Sequence, residues 1–258
     1  MTRIAFAGDR QSAVECLAIL LDSGVKPQVL MVSAPEIATH SDLLREMSGL
    51  DDDHVLVGRQ FRDPASIELL SSMDLDYILG VHFPYIVPGP VLEIPRIGVL
   101  NLHPALLPYN RGWHTPNWAI LDETPIGATL HFMDSGVDTG DIVAQAEIEI
   151  RPEDTAHTLY GRLLQLEVEL FREAWPLLAS GSPPRVRQSP EDGTNHVRAE
   201  LGSDSIRRLD LEATFPVQDT LRTLRALSTN DVGEAAYFEV DGRRYRVQVT
   251  ITPEAGET

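Results

Sequence analysis

The stretch YILGVHFPYIVPGPVLEIPRIGVLNLHP, residues 77–104, contains two apolar runs separated by a proline-rich connection. Residues 77–81 and 98–102 form these runs, which are short and almost free of polar side chains. Such runs are typical of strands that are buried on both faces. Pro104 cannot donate to a strand ladder and ends the second run. The stretch therefore predicts two strands of a buried sheet.

The residues before this stretch repeat the same alternation. Apolar runs at 3–7 and 28–32 predict further strands, and the spacing at 12–21 predicts a helix between them. Asp63 before Pro64 predicts a helix start, with a capping side chain followed by proline at the first helical position. The fold class is therefore α/β, with a largely parallel twisted sheet. In such sheets ligands bind beyond the carboxyl ends of the strands.

The residues after the stretch predict two more strands and a long helix. Residues 127–132 and 142–150 are β runs on either side of a loop rich in Asp, Ser and Gly. A helix is expected over 155–178, because leucines recur at three- and four-residue spacing and form one apolar stripe. Pro176 is expected to kink its last turn.

The C-terminal part predicts a separate small module. Residues 181–193 contain three prolines and several polar residues, which is typical of a linker. A short helix is predicted at 217–227, and strands at 235–240 and 243–251 flank the hairpin turn Asp241-Gly242. We therefore predict a catalytic domain at 1–182, a linker at 183–204 and a helix-and-hairpin module at 205–258.

Composition limits the classes of partner. The 258-residue chain has a formal net charge of −18 and a single lysine, Lys26, which argues against a long nucleic-acid track and predicts no nucleic-acid partner. It has no apolar run of about 18 residues, so no membrane span is expected. Cys16 is the single cysteine, and residues 1–10 lack the features of a secretory signal. A cytoplasmic location is therefore predicted.

The densest chemistry lies at Asn101, His103 and Asp138. Asn101 and His103 are two residues apart in a strand, so their side chains share a face at its carboxyl end. Asp138 lies in a loop that the next strands can bring over the same place. An amide, an imidazole and a carboxylate together suit acyl transfer. Taken alone, a histidine near a strand end is more often structural than catalytic, and Asp138 is compatible with a tight turn or a metal-binding loop.

The sequence offers no serine or cysteine in a nucleophile elbow, which favours direct attack by an acceptor amine. Asn101 would then donate to the developing oxyanion, and His103 would polarise the reacting oxygen or shuttle a proton. Asp138 would orient His103 and help to remove the amine proton. His114 and His131 lack a cysteine or carboxylate partner at metal-ligand spacing, so no metal is predicted.

The motifs Asn101-Leu-His103-Pro104, the LLP that follows, and Asp138-Thr-Gly140-Asp resemble the signature of the folate-dependent formyltransferase family. That family includes methionyl-tRNA, glycinamide ribonucleotide and nucleotide-sugar formyltransferases, and the resemblance covers about residues 1–180. It implies a Rossmann-like formyltransferase domain with Asn101, His103 and Asp138 as catalytic residues. It also implies 10-formyltetrahydrofolate as formyl donor, with the donor pocket formed by Phe83, Tyr85, Ile86, Val87, Val137 and Asp141.

The loop Asn110-Arg-Gly-Trp-His-Thr-Pro116 resembles the nucleotide-sugar branch of this family. The short C-terminal module and the net charge of −18 also favour an amino sugar, expected to be a dTDP-linked amino-dideoxy sugar, over tRNA. The resemblance further implies a homodimer. The candidate contacts to the acceptor are Arg10, Arg111, Trp113, His114, Tyr237 and Phe238.

Three alternatives stay open. Tyr237 and Phe238 are also compatible with the core of the hairpin, and Arg10 is also compatible with a solvated helix start. Glycinamide ribonucleotide or methionyl-tRNA is the alternative acceptor, and a non-catalytic folate or nucleotide binder is the alternative class. A dehydrogenase fits poorly, because Gly8-Asp9-Arg10-Gln11 lacks the glycine spacing of a dinucleotide site.

Overall fold

A computed structural model describes residues 2–254. Its strands are β1 Ile4–Gly8, β2 Val29–Val32, β3 Val55–Val57, β4 Tyr77–Val81, β5 Gly98–His103, β6 Arg111–Gly112, β7 Ile126–Phe132, β8 Ile142–Ile148, β9 Asn195–His196, β10 Ala236–Val240 and β11 Arg243–Val247. Its α-helices are α1 Arg10–Asp22, α2 Ser41–Ser48, α3 Pro64–Ser72, α4 Gly89–Leu92, α5 Thr115–Leu121, α6 Ala156–Ala179, α7 Asp204–Arg207 and α8 Val217–Ala226.

Seven strands form one sheet in the order β3-β2-β1-β4-β5-β7-β8. The pairs β2–β3, β1–β2, β1–β4 and β4–β5 are parallel, whereas β7 runs antiparallel to β5. Apolar clusters cover both faces. One contains Leu17 of α1 and Phe171 of α6, and the other contains Leu70 of α3 and Val91 of α4. The predicted fold class, a largely parallel sheet with a C-terminal helix and hairpin, is confirmed.

Several local predictions need correction. The strand predicted at 142–150 ends at Ile148 and the last hairpin strand ends at Val247. Asp63 precedes α3, but its side chain makes no capping hydrogen bond. Seven elements were not predicted from the sequence: α2, β3, α4, α5, β6, α7 and β9.

The fold groups into two compact units, and each unit is built from three separate chain segments. The first unit contains the chain up to His103, then Ala128–Ala146 and Leu164–Ser189. The second unit contains Pro104–Gly127, Glu147–Leu163 and the chain from Pro190 onward. The boundaries predicted at 1–182, 183–204 and 205–258 stay a prediction.

The second unit has its own small core. Trp118 of α5 packs with Leu201, Leu227 and Ala236. The backbone oxygen of Ala226 accepts a hydrogen bond from Asn117 Nδ2 at 2.7 Å, which ties α8 to α5. The hairpin turn has Asp241 and Gly242 in the left-handed region, as a two-residue hairpin turn requires.

Candidate active site

The strand order reverses between β1 and β4, and parallel sheets bind ligands at the carboxyl ends of strands near such a point. Asn101 and His103 lie at the carboxyl end of β5, which is the neighbour of β4. The functional residues of the first unit are therefore grouped at this edge of the sheet.

The three predicted catalytic residues come together around a fourth residue, His131. His103 Nε2 lies 3.5 Å from Asp138 Oδ2, and His131 Nε2 lies 3.6 Å from Asp138 Oδ1. Asn101 Nδ2 lies 3.4 Å from His131 Nε2. The register explains the meeting, since Asn101 is opposite His131 across the β5–β7 pair. Asp138 is in the loop that leaves β7.

His131 is buried and electrically neutral. Burial lowers its pKa to about 4; the carboxylate of Asp138 opposes this shift and His103 adds to it. Its Nδ1 lies 2.8 Å from the carbonyl of Phe132, so Nδ1 carries the proton and donates to that oxygen. The other ring nitrogen, Nε2, is therefore an acceptor, and it fixes which end of the Asn101 amide faces it.

His131 was considered in the sequence only as a metal ligand and was not identified as a site residue. The alternation at 127–132 places it on one face of a strand, but its partner depends on the strand register. A one-residue change of register would turn it to the opposite face of the sheet. The alternation at 127–132 therefore indicated which face His131 shares, but its neighbours could not be identified without the register between β5 and β7.

The loop that carries Asp138 is held from three directions. Asp134 Oδ1 accepts hydrogen bonds from the Gly136 backbone N–H at 2.9 Å and from the Thr139 hydroxyl at 2.6 Å. Gly140 lies directly against the carbonyl of Phe132, and a Cβ there would collide with it. Gln188 Nε2 donates to the backbone oxygens of Asp138 and Gly140 at 3.0 and 2.6 Å. Gln188, within the predicted linker, was not identified from sequence.

A small apolar pocket reaches Asn101. Phe83, Tyr85 and Val87 line it, as do Phe61 and Met133. The ring of Phe83 packs edge-on against those of Phe61 and Tyr85, with centroids 5.3 and 5.0 Å apart. The Tyr85 hydroxyl accepts from the backbone N–H of Ala34 at 2.9 Å.

The other predicted donor contacts lie outside this pocket lining. Ile86 and Val137 are exposed on their loops. Asp141 is half-buried, and its backbone oxygen accepts a hydrogen bond from Phe132 N at 2.8 Å. Their predicted role in binding a donor stays a prediction.

His82, the residue after β4, pairs with a buried carboxylate. Its Nε2 lies 2.7 Å from Glu167 Oε2 on α6, and the Glu167 side chain is completely buried. Burial, followed by the charge of Glu167, raises the pKa of the buried Cys16 thiol well above its usual value. His82 stands next to Phe83, so this pair anchors the start of the loop that lines the pocket.

The N-terminus of α1 is occupied by a carboxylate of the chain itself. Asp9 Oδ1 accepts hydrogen bonds from the backbone N–H groups of Arg10, Thr39 and His40 at 2.9, 3.1 and 2.9 Å. A phosphate at a helix N-terminus would need similar donors. Arg10 itself is exposed, and its predicted contact with a pyrophosphate stays a prediction.

Replacing Asp9 with asparagine should lower the free energy of unfolding at pH 7 by about 1–3 kcal/mol, because several buried donors lose a charged acceptor. Burial opposes the charge of Asp9, but the hydrogen bonds from His40, Arg10 and Thr39 outweigh it and lower its pKa. This stabilisation is present above the unfolded-state pKa of about 4 and is lost as the pH falls through the lower folded-state pKa.

Urea unfolding of wild type and Asp9→Asn at pH 7 and under acid conditions measures the effect. The difference between the two proteins should shrink in acid. Asp22→Asn, at an exposed position of the same helix, is the control and should change the stability by no more than about 0.5 kcal/mol. An Asp9 variant as stable as wild type at pH 7 would contradict the assignment.

The predicted acceptor contacts lie in the second unit. Arg111, Trp113 and His114 follow one another in and after β6, and Trp113 is 46% exposed. Tyr237 is 2% exposed, its hydroxyl donates to Asp204 Oδ1 at 2.6 Å, and the Arg244 guanidinium lies 3.8 Å from its ring centroid. Tyr237 is thus covered within the chain, and stacking of Tyr237 and Phe238 on a base stays a prediction.

The described residues contain neither a group of metal ligands nor a helix able to span a membrane. Within residues 2–254 no three His, Cys, Asp or Glu side chains are grouped as metal ligands. In the same range no helix combines the length and the apolar character needed to cross a bilayer. The predicted cytoplasmic location stays a prediction.

Comparison with known families gives two matches. The profile of the formyl transferase family matches residues 28–175. The profile of the N-formyltransferase dimerization C-terminal domain matches residues 203–253.

Two curated relatives have different acceptors in their names. A dTDP-4-amino-4,6-dideoxyglucose formyltransferase of Mycobacterium tuberculosis strain H37Rv is 32% identical over 179 residues, which cover 69% of this chain and 74% of that protein. A methionyl-tRNA formyltransferase of Clostridioides difficile strain 630 is 31% identical over 196 residues, which cover 74% of this chain and 63% of that protein.

Solved structures match over most of the chain. A sugar N-formyltransferase from Shewanella sp. FDAARGOS_354 gives a TM-score of 0.81 over 99% of this chain and 100% of that one, and at 23% identity this likeness concerns the fold. A formyltransferase from Anoxybacillus kamchatkensis, solved with UDP-4,6-dideoxy-4-formamido-L-AltNAc and tetrahydrofolate, gives 0.60 over 87% and 98%, at 25% identity.

Proposed function

The chain belongs to the formyl transferase family, and we propose that it transfers a formyl group from 10-formyltetrahydrofolate to the amine of a nucleotide-linked amino sugar. One observation carries this proposal. Asn101, His103 and Asp138 converge with the neutral His131 at a pocket that reaches Asn101. The proposed acceptor is a dTDP-linked amino-dideoxy sugar, by analogy with the relative from Mycobacterium tuberculosis.

Asn101 is placed to stabilise negative charge on the formyl oxygen. Its amide nitrogen carries two hydrogens, and one of these N–H groups donates a hydrogen bond to Nε2 of His131. Because the amide group is planar, the hydrogen bond to His131 also fixes the direction of the second N–H, which is the one proposed to bind the formyl oxygen. Donors that are oriented before the reaction need no reorganisation as the charge develops, and this is the main source of their effect.

His103 and Asp138 form the proposed proton-transfer pair. His103 Nε2 is buried and has no hydrogen-bond partner among the described residues. Its 3.5 Å separation from Asp138 Oδ2 is too long for a strong hydrogen bond. The nitrogen can therefore take the proton of the attacking amine, and the nearby carboxylate stabilises the imidazolium that results. The imidazolium would then give this proton to N10 of the folate as the bond between the formyl carbon and N10 breaks, which releases tetrahydrofolate.

The aromatic lining of this pocket supports the proposed binding of a folate, whose ring system is flat. Three aromatic side chains contribute to its lining, and the ring of Phe83 packs edge-to-face against those of Phe61 and Tyr85. The backbone around Phe83 to Val87 supplies polar groups beside this apolar surface. Pockets of this kind bind ring systems through apolar contact, and a few polar groups fix the orientation.

Two features favour an amino sugar over tRNA as acceptor. The fold likeness to a sugar N-formyltransferase covers 99% of this chain, including the region that matches the N-formyltransferase C-terminal domain. The net charge of −18 opposes binding of a long phosphate backbone, whereas a nucleotide sugar has only two phosphates.

The test is to incubate the protein with 10-formyltetrahydrofolate and a panel of nucleotide-activated amino sugars, and to score the mass gain of one formyl group. Methionyl-tRNA and glycinamide ribonucleotide are the parallel arms. Transfer to an amino sugar that depends weakly on salt would support the proposal. Efficient transfer to methionyl-tRNA with none to any sugar would refute the proposed acceptor.

We expect activity to be unchanged after dialysis against a chelator, because Asn101 and His103 supply the donors that a metal would otherwise provide. The measurement is formyl transfer before and after dialysis, with added zinc as a further arm. Activity that is lost on chelation and restored by zinc would overturn this expectation.

We also propose a homodimer formed through the C-terminal module. The exposed apolar side chains Leu211, Phe215 and Val217 lie within the region that matches the dimerization domain. Large apolar patches on a surface mark interaction sites. Phe215→Glu should therefore shift the mass in light scattering from dimer to monomer. Ile37→Glu, at an exposed apolar residue outside that region, should leave the mass unchanged. A monomeric wild type would contradict the proposal.

A further inference from the structure

The segment after α6 packs against both ends of the loop between β7 and β8. Val186 pairs with Ile142 in antiparallel orientation, with N to O distances of 2.8 and 2.9 Å in the two directions. The Arg185 guanidinium lies 3.5 Å from the ring centroid of Phe132. Phe132 is the last residue of β7 and Ile142 is the first of β8, so segment 185–188 contacts the loop where it begins and where it ends. These residues all belong to the first unit.

Gln188 is the buried residue of this segment. It is 6% exposed, whereas Arg187 and Ser189 on either side of it are exposed. Its Nε2 lies 3.0 Å from the backbone oxygen of Asp138 and 2.6 Å from that of Gly140. Carbonyl oxygens can only accept, so the amide faces them with its NH2 group and donates one hydrogen to each. One side chain therefore bridges two peptide groups of the loop.

The bridged backbone has a conformation that needs support. Asp138 has a φ of +53°, in the left-handed region that residues other than glycine rarely adopt. Residues in such regions persist when the surrounding contacts hold them there. The Asp138 carboxylate lies between two rings, with Oδ2 3.5 Å from His103 Nε2 and Oδ1 3.6 Å from His131 Nε2. A different φ at Asp138 would rotate the carboxylate relative to both rings.

We propose that Gln188 is a positioning residue for the reaction, because it sets the place of the Asp138 carboxylate through the backbone of the loop. This inference rests on the proposed function, since it gives Gln188 a part in the proton transfer by His103 and Asp138. Gln188 acts through Asp138, so its loss should slow the chemical step and leave the binding of donor and acceptor unchanged. A misplacement of about 1 Å at a reacting group can lower a rate by about 100-fold.

The test is a double-mutant cycle on formyl transfer by the full-length protein. Gln188→Met keeps the length of the side chain but cannot donate. It should lower kcat by about 10-fold to 100-fold and change the KM values of donor and acceptor by less than about twofold. In the Asp138→Ala background the same substitution should leave the residual kcat unchanged, because the side chain that Gln188 positions is gone. A role in folding alone would instead lower the active fraction in both backgrounds.

Further variants and a structure complete the test. Gln188→Asn keeps the amide on a shorter side chain, and its kcat should lie between those of wild type and Gln188→Met. It also replaces Gln188→Met in the cycle if urea unfolding shows that the latter is not folded. A crystal structure of the variant used should show the Asp138 carboxylate displaced from the His103 ring. Gln248→Met is the matched control and should keep wild-type kcat, because Gln248 is exposed and its Nε2 also donates to a backbone oxygen, that of Thr229 at 2.7 Å.

The inference is refuted by wild-type kcat in Gln188→Met, by an equal loss of kcat in the two backgrounds, or by an Asp138 carboxylate that stays in place in the variant. An equal loss in Gln248→Met would also refute it. If the carboxylate is displaced but the wild type formylates no amino sugar, the positioning by Gln188 stands and the proposed function fails. If the wild type formylates a sugar and Gln188→Met does so equally well, the proposed function stands and the inference fails.

Discussion

Replacing His103 with alanine should lower the turnover number by about two orders of magnitude or more. The same loss is expected for Asn101→Ala and Asp138→Ala, because all three side chains are proposed to act in the same step: Asn101 stabilises the formyl oxygen while His103 and Asp138 move the amine proton. Their effects should not multiply, so the triple variant should be little slower than the slowest single variant. The measurement is the rate of formyl transfer at saturating donor and acceptor.

Unfolding in urea shows whether each variant keeps its fold. Asn230→Ala and His157→Ala, at exposed positions, are matched controls and should keep wild-type turnover. A His103→Ala protein that turns over at close to the wild-type rate, with any acceptor that the wild type uses, would refute the mechanism.

Replacing His82 with leucine should lower the free energy of unfolding by about 3–5 kcal/mol, because Glu167 would then be a buried charge without its partner. The double variant His82→Leu/Glu167→Leu should recover most of this loss, since a pair of apolar side chains can replace a buried ion pair at little cost. Urea unfolding of the wild type, both single variants and the double variant gives the coupling free energy between the two residues.

His157→Leu, at an exposed histidine, is the control for the loss of an imidazole and should change the stability by no more than about 0.5 kcal/mol. If His82→Leu were as stable as wild type, the buried Glu167 side chain would not depend on its contact with His82. The single variant should also bind the donor more weakly, because His82 precedes Phe83 in the wall of the pocket.

The central strands could be predicted from sequence because their signal is local. β1, β2 and β4 are uninterrupted apolar runs, and β5 is apolar apart from Asn101 and His103. The predicted ends of these strands lie within one residue of the observed ends. β3 has three residues and α2 has eight with several polar side chains, so neither provides enough periodicity to be recognised. Asp63 matches a capping sequence, but its side chain does not make the bond, which no local pattern can reveal.

The three catalytic residues could be proposed from the sequence because they lie in short motifs. The residues that hold them in position could not be predicted in this way. His131 meets Asn101 only because of the register between β5 and β7. Gln188 binds the loop of Asp138 and Gly140, which lies 48 to 50 residues earlier in the chain. β9 has only two residues and forms by pairing with β6. The sequence around it is rich in prolines and polar residues, and for that reason it was predicted to be a linker. Long-range pairing is not encoded in the composition of either partner.

The interleaving of the two units has a consequence for synthesis on the ribosome. The chain passes from one unit to the other five times, so neither unit is complete until late. The first five strands of the sheet emerge early, but Phe171 and Trp175, which cover one of its faces, come about 70 residues after His103. At typical translation rates the first unit waits on the order of ten seconds for its last segment. Nascent chains of this protein therefore expose an apolar sheet face throughout that interval. We expect these nascent chains to be substrates for chaperones that bind during translation.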